Sequence, residues 1–199
     1  MAMKTNLAGI IKLYDGIYSE KKPFFSLNYH WDTKRFSSLV KRGSTVLDAG
    51  CGIGKASQLL EREGYKVIGI DVNRKAIQRA RRGYPDIEFQ ICGLSDLSRF
   101  KNSTFDAIFC RRVLGDLYRI GKFEKALAEL ARVLKKGGLI YTRTYIVIRT
   151  DFTFEDRKFT VKYFQKEFGK HFKILESKTQ YSIRRDFWGK QLKLVGKKL

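Results

Sequence analysis

Three glycines and two acids carry the most legible chemistry in this chain. They sit in Thr45-Val-Leu-Asp-Ala-Gly-Cys-Gly-Ile-Gly-Lys55 and, about twenty residues on, in Val67-Ile-Gly-Ile-Asp71. Val46 and Leu47 read as a short buried strand that Asp48 closes. Gly50, Gly52 and Gly54 then turn tightly into a helix starting near Ala56. Glycine serves where backbone must approach a ligand with no Cβ in the way. Asp71 ends a second strand, where its carboxylate can accept hydrogen bonds from two ribose hydroxyls. The two segments together read as a nucleoside-binding crevice at the carboxyl ends of parallel strands.

The details select the nucleoside. A dinucleotide fingerprint, G-x-G-x-x-G, needs its last glycine where this chain has Lys55; Gly54 comes one residue early. Asp48 also stands two residues before the first glycine, a poor place for a carboxylate beside pyrophosphate and a good one beside an ammonium. S-adenosylmethionine (SAM) offers an ammonium, a carboxylate, a ribose and an adenine, and no phosphate. At these residues the chain resembles the class I SAM-dependent methyltransferases. Ser103-Thr-Phe-Asp-Ala-Ile-Phe-Cys-Arg-Arg-Val-Leu-Gly-Asp-Leu117 is similar to the family's fourth-strand segment. The run from Phe123 to Tyr141, with Leu134-Lys-Lys-Gly-Gly138 inside it, is similar to the helix, turn and fifth strand that follow. The similarity extends from about residue 36 to the C-terminus and is closest to the type 11 group, which includes quinone-pathway and some tRNA methyltransferases.

The resemblance implies SAM as cofactor, S-adenosylhomocysteine (SAH) as product and no metal. It implies that Asp48 and the turn through Gly50, Cys51, Gly52 and Gly54 hold the methionine part, that Asp71 takes the ribose, and that Val72 lies against adenine. Cys110, at the end of the fourth strand, joins the cofactor set. After the third strand the family often carries an acid that reaches the adenine amino group. Leu94 stands there instead, so either Asp96 substitutes or the backbone of Leu94 and Ser95 reads the base. Gly115-Asp116 replaces a common pair of histidines. Asp116 reads equally as a base or substrate ligand and as the N-cap of the helix carrying Leu117. Arg111 and Arg112, at the rim where substrate enters, suit a phosphate or carboxylate or a plain solvated surface. Tyr14, Tyr18 and His30 join them as substrate-side candidates from a segment that closes over the cofactor.

These residues need a frame. A helical apolar spacing covers 5–18, and Asp32 reads as the N-cap of a helix presenting Phe36, Leu39 and Val40. Strands are expected at 45–48, 66–71, 87–91 and 105–110. Helices are expected from Ala56 to Gly64 and over 74–82. Phe123, Leu127, Leu130 and Leu134 form one apolar stripe that Gly137-Gly138 ends, and a fifth strand starts at Leu139. Thr160 reads as the cap of a helix to Phe168, and 172–177 and 191–195 as two last strands. The fold class is α/β: a doubly wound, Rossmann-like, seven-stranded, mostly parallel sheet with a terminal antiparallel strand. The chain reads as a single domain over 1–199, with 1–40 a helical segment and candidate lid and 41–199 the core. A second lid candidate covers 145–159.

Composition bounds the partners. The 199 residues suffice for one core, and 43% hydrophobic content excludes a disordered chain. No apolar run approaches the ~20 residues of a membrane span. Cys51, Cys92 and Cys110 form no C-x-x-C, which suits a reducing, cytoplasmic setting and excludes a disulfide framework or zinc site. Lys and Arg number 41 against 20 Asp and Glu, a formal charge of +21. A field this lopsided attracts polyanions. Basic and aromatic residues interleave in both lid candidates: Lys21, Lys22, Phe24, Phe25, Tyr29, Trp31, Lys34 and Arg35, then Phe152, Phe154, Arg157, Lys158 and Phe159. An RNA acceptor, with tRNA the natural example, is therefore expected. The alternatives are a small molecule of the quinone-pathway kind, a protein, or a SAM-binding module without catalysis.

Overall fold

A computed structural model describes residues 6–19, 29–149, 160–184 and 187–199. The elements are α1 (Leu7–Ser19), α2 (Tyr29–Ser37), β1 (Thr45–Ala49), α3 (Lys55–Arg62), β2 (Lys66–Asp71), α4 (Arg74–Gly83), β3 (Glu88–Ile91), β4 (Phe105–Arg111), α5 (Leu114–Arg119), α6 (Phe123–Val133), β5 (Leu134–Arg149), α7 (Val161–Gly169), β6 (Phe172–Arg184) and β7 (Phe187–Lys198). The sheet runs β3-β2-β1-β4-β5-β7-β6. Its first five strands are parallel, and β7 lies antiparallel to both β5 and β6. The seven-stranded, mostly parallel α/β sheet expected from the sequence is thus the observed one.

Central parallel strands are covered on both faces, so they need near-continuous apolar runs. β1 supplies one, with Val46, Leu47 and Ala49 fully buried. On one face Phe36, Leu60 and Ile77, from α2, α3 and α4, pack over Val46 and Phe109. On the other, Leu117, Leu127 and Phe164, from α5, α6 and α7, pack over Leu47, Ile108 and Ile140. Thr160 caps α7 as expected, its hydroxyl accepting the Tyr163 N–H at 3.1 Å.

Three expectations need correction. The helix ending in Val133 does not run on to Gly137-Gly138. Leu134 already pairs with Phe105, and the ladder resumes at Ala107 opposite Leu139 after a register shift. The two glycines occupy that irregularity, where a Cβ on Gly138 would lie 2.8 Å from the Asp106 carbonyl oxygen. Residues 145–149 are no lid: they continue β5 and pair with β7 as far as Arg149 opposite Trp188. Lys21, Lys22, Phe24, Phe25 and 150–159 lie outside the described residues.

The third correction concerns Asp32. α2 begins at Tyr29, so Asp32 falls in its first turn rather than at the cap, with 1% exposure. Its carboxylate accepts from Arg111 Nε at 2.7 Å, from Tyr141 Oη at 2.5 Å, and from Arg143 Nη1 at 3.1 Å on both oxygens. Arg143 Nε in turn donates to Gln191 Oε1 at 2.6 Å. One buried acid therefore fastens α2 to the end of β4 and the middle of β5. Removing one partner of such a pair leaves uncompensated buried charge, at a cost of about 3–5 kcal/mol. Asp32→Asn is expected to lower unfolding free energy by that amount in urea titration. Tyr141→Phe, which removes one hydrogen bond to a charged group, should cost about 1.5–3 kcal/mol.

Candidate functional site

The glycine turn has the backbone its residues allow. Gly50 and Gly54 adopt φ +82° and +81°, the left-handed region. A Cβ on Gly50 would stand 2.1 Å from Val113 Cγ2, and one on Gly54 2.7 Å from Phe89 Cζ. The N–H groups of Gly50 and Cys51 both donate to the Ile70 carbonyl, at 2.8 and 2.9 Å. Asp71 closes the link: it accepts the Gly52 N–H at 2.9 Å and the Asn73 N–H at 2.8 Å. The first turn and the end of β2 are thus one rigid unit. Burial raises the Asp71 carboxyl above the usual range, and the N–H groups of Asn73 and Gly52 oppose the rise.

Asp48 is 2% exposed and accepts the Ser57 hydroxyl at 2.6 Å. Burial pushes its carboxyl up to about 7; the Ser57 bond opposes this, Asp71 adds to it and Arg111 offsets part. A buried acid without a charged partner in direct contact suits an incoming ammonium. Val72 is half-buried and faces Gly93, whose Cβ would meet Val72 Cγ1 at 3.2 Å. These residues fit SAM: a cradle of backbone, an acid for the ammonium and an acid for the ribose.

The other candidates have varied settings. The Cys51 side chain packs inward, its Sγ 3.1 Å from where a Gly69 Cβ would stand, so only its backbone belongs to the turn. Cys110 is wholly buried in the core with Leu47, Ile108 and Leu114. Leu94 is core as well, beside half-buried Ser95. Asp96 is exposed and accepts the Ser98 N–H at 3.1 Å; that turn, with Lys125 and Arg132 nearby, holds its carboxyl below the usual range. His30 is exposed. The Tyr18 side chain lies outside the described residues.

Helix α1 joins the two sides of the cleft. Tyr14 Oη donates to Asp116 Oδ2 at 2.8 Å, and Asp15 accepts Asn73 Nδ2 and Lys75 Nζ, each at 2.8 Å. Asp15 and Asn73 escaped the sequence reading, because a polar pair 58 residues apart leaves no local signal. Asp116 is not a cap: Val113 holds the N-cap position of α5, and Asp116 lies in its first turn. Burial raises the Asp116 carboxyl, against the Tyr14 hydrogen bond and the Arg119 charge.

At the end of β4, the Arg111 guanidinium stacks 4.3 Å from the Tyr29 ring centroid. Arg112 adopts φ +61°, and its N–H donates to the Arg143 carbonyl at 2.6 Å. Burial, then the Arg111 charge, lowers Arg112 to about 10. Neither arginine is the solvated surface residue that the sequence also allowed. No group of three or more His, Cys, Asp or Glu among the described residues is arranged to hold a metal.

Residues 47–142, from within β1 to within β5, match the type 11 methyltransferase-domain family. That stretch is a methyltransferase domain of the class I, SAM-dependent kind. The chain is 33% identical over 121 residues to a demethylmenaquinone methyltransferase of Tropheryma whipplei, covering 57% of this chain and 47% of that one. It is 31% identical over 135 residues to a ubiquinone biosynthesis O-methyltransferase of Xylella fastidiosa, covering 64% and 52%. The chain thus spans about half the length of these curated relatives. A SAM-dependent methyltransferase of Methanosarcina mazei shares the fold, with a TM-score of 0.70 at 21% identity over 83% of this chain and 97% of that one.

Asp48 gives the methyltransferase fold a pH signature. The folded chain keeps the Asp48 proton up to about pH 7, whereas an ordinary aspartate loses it near 3.8. Between those values the folded state binds more protons than the unfolded one, so stability falls as pH rises from about 4 to 7. At 1.36 kcal/mol per unit the loss from this group is at most about 4 kcal/mol. Urea midpoints measured across that range should show a flatter slope for Asp48→Asn than for wild type.

Proposed function

We propose that the protein transfers the methyl group of SAM to a small organic acceptor. The observation behind this reading is α1, bound across the cleft through Asp15 on one side and Tyr14 on the other. An acceptor must then meet the cofactor beneath a helix, an arrangement that favours a small molecule over a macromolecule. The names of the two curated relatives, both concerned with quinones, agree with this reading.

SAM brings an activated methyl group on a sulfonium. The protein's contribution is then alignment for an in-line displacement, worth up to ~7–11 kcal/mol in well-oriented cases. Asp48 binds the ammonium, Asp71 the ribose hydroxyls, and Val72 lies against adenine. Asp116, at the mouth with Tyr14 on it, accepts a proton from an acceptor that must lose one.

Labelled SAM incubated with cell extract, then divided into small-molecule, RNA and protein fractions, tests the proposal; label confined to RNA or protein would refute it. Asp71→Ala should weaken SAM binding by about 1.5–3 kcal/mol per lost hydrogen bond, read by calorimetry. Asp116→Asn keeps an oxygen for Tyr14, so SAM affinity should hold while turnover falls roughly 10²–10⁴-fold; unchanged turnover would retire Asp116 as a base.

One observation favours an RNA acceptor as the second reading. Beyond the +21 charge, Lys173, Lys178, Lys190, Lys193, Lys197 and Lys198 line β6 and β7. If these lysines bind phosphates, affinity for bulk tRNA falls linearly in log–log terms with salt. A filter-binding titration with no affinity at low salt excludes it.

A further inference from the structure

The ends of β1 and β2 and the turns after them carry the acids and the glycine turn given above to the cofactor. The cleft continues over β4 and β5, where the residues are of another kind. Arg111 is held from behind by Asp32 through Nε, and its side chain is 5% exposed. Its Nη2 is buried and has no hydrogen-bond partner among the described residues. A buried guanidinium donor without an acceptor is unfavourable, and protein interiors rarely keep one without cause. Tyr29 roofs the group, and Arg112 follows in a left-handed conformation that arginine rarely adopts. Backbone strain of this kind concentrates at ligand sites. The Arg112 N–H bond to the Arg143 carbonyl fixes it there. Asp32, which could have neutralised the spare donor, is already shared among Arg111, Arg143 and Tyr141.

We propose that Arg111, with Arg112 beside it and Tyr29 above it, is an oxyanion subsite for the methyl acceptor, which is a small molecule bearing a carboxylate or phosphate group. This rests on the small-molecule reading above and names the substrate class. The planar fork of arginine matches both oxyanions, and a buried setting strengthens the contact. The anion would sit over β4, next to the Asp48 end of the cofactor cradle, so that binding it also aims the acceptor's nucleophile at the methyl group.

The test uses the full chain and two probes, inorganic phosphate and benzoate, titrated calorimetrically with SAH present. The expected result is oxyanion binding by wild type that weakens at least tenfold in Arg111→Lys and in Arg112→Gln, with SAH affinity kept within threefold. Arg111→Lys retains a positive partner for Asp32; should it still fail to fold by circular dichroism, Arg112→Gln decides alone. Wild type that binds neither probe, or variants that bind phosphate as well as wild type does, would overturn the proposal, since phosphate on surface lysines ignores these substitutions. A tenfold loss of SAH affinity with unchanged 5′-methylthioadenosine affinity would also overturn it, by assigning Arg111 to the cofactor's own carboxylate. If wild type bound no SAH, the cofactor reading would fall by itself, and the same titrations without SAH would still judge the subsite.

Discussion

The buried carboxylate of Asp32 is the interaction on which the rest of the site depends. It takes hydrogen bonds from two arginines and a tyrosine that come from two different strands. Without it, α2 would keep the apolar packing of Phe36 and Tyr29 and the Arg35–Glu176 ion pair, but would lose its buried polar tie to β4 and β5. Arg111 and Arg143, register partners on adjacent strands, would lie side by side without the acid they share. A single acid surrounded by this much positive charge fixes helix, strands and cleft floor relative to one another. It does so while leaving one guanidinium edge unsatisfied, which is the condition the oxyanion subsite needs.

The cofactor side follows a different logic. There the acids are isolated rather than paired. Asp48 accepts from the hydroxyl of Ser57, and Asp71 from the backbone N–H groups of Gly52 and Asn73. Each can gain a ligand without giving up an ion pair. The site is therefore divided in charge: buried acids lie at the ends of β1 and β2, and guanidinium groups at the end of β4. Proximity of the two halves is what the chemistry requires, and the parallel order β2-β1-β4-β5 supplies it.

Much of this was legible in the sequence, for local reasons. The glycine turn, the acid ending the second strand and the apolar stripe from Phe123 each carry their signal within a few residues. The parallel core follows from their order along the chain. What was not legible depends on distance in sequence. Asp32 reads as a cap because its neighbours permit one, while its true partners lie 79, 109 and 111 residues away. Tyr14 and Asp116 are separated by 102 residues. The stretch past Tyr145 reads as a lid candidate because the strand that pairs with it, β7, comes more than forty residues later and confers the pairing from outside.

The outermost strand gives the surplus lysines another purpose. β6 is the terminal strand of the sheet and thirteen residues long, with Lys178, Thr179, Gln180 and Tyr181 all exposed. A long free edge offers its main-chain groups to any other extended chain, and lysine is a common deterrent because stacking two such edges brings like charges together. At the opposite end β3 needs no such guard, since it has only four residues. Part of the basic character of the molecule therefore belongs to colloidal behaviour. It keeps a sheet of seven strands from recruiting an eighth from a neighbour, whatever the acceptor in the cleft.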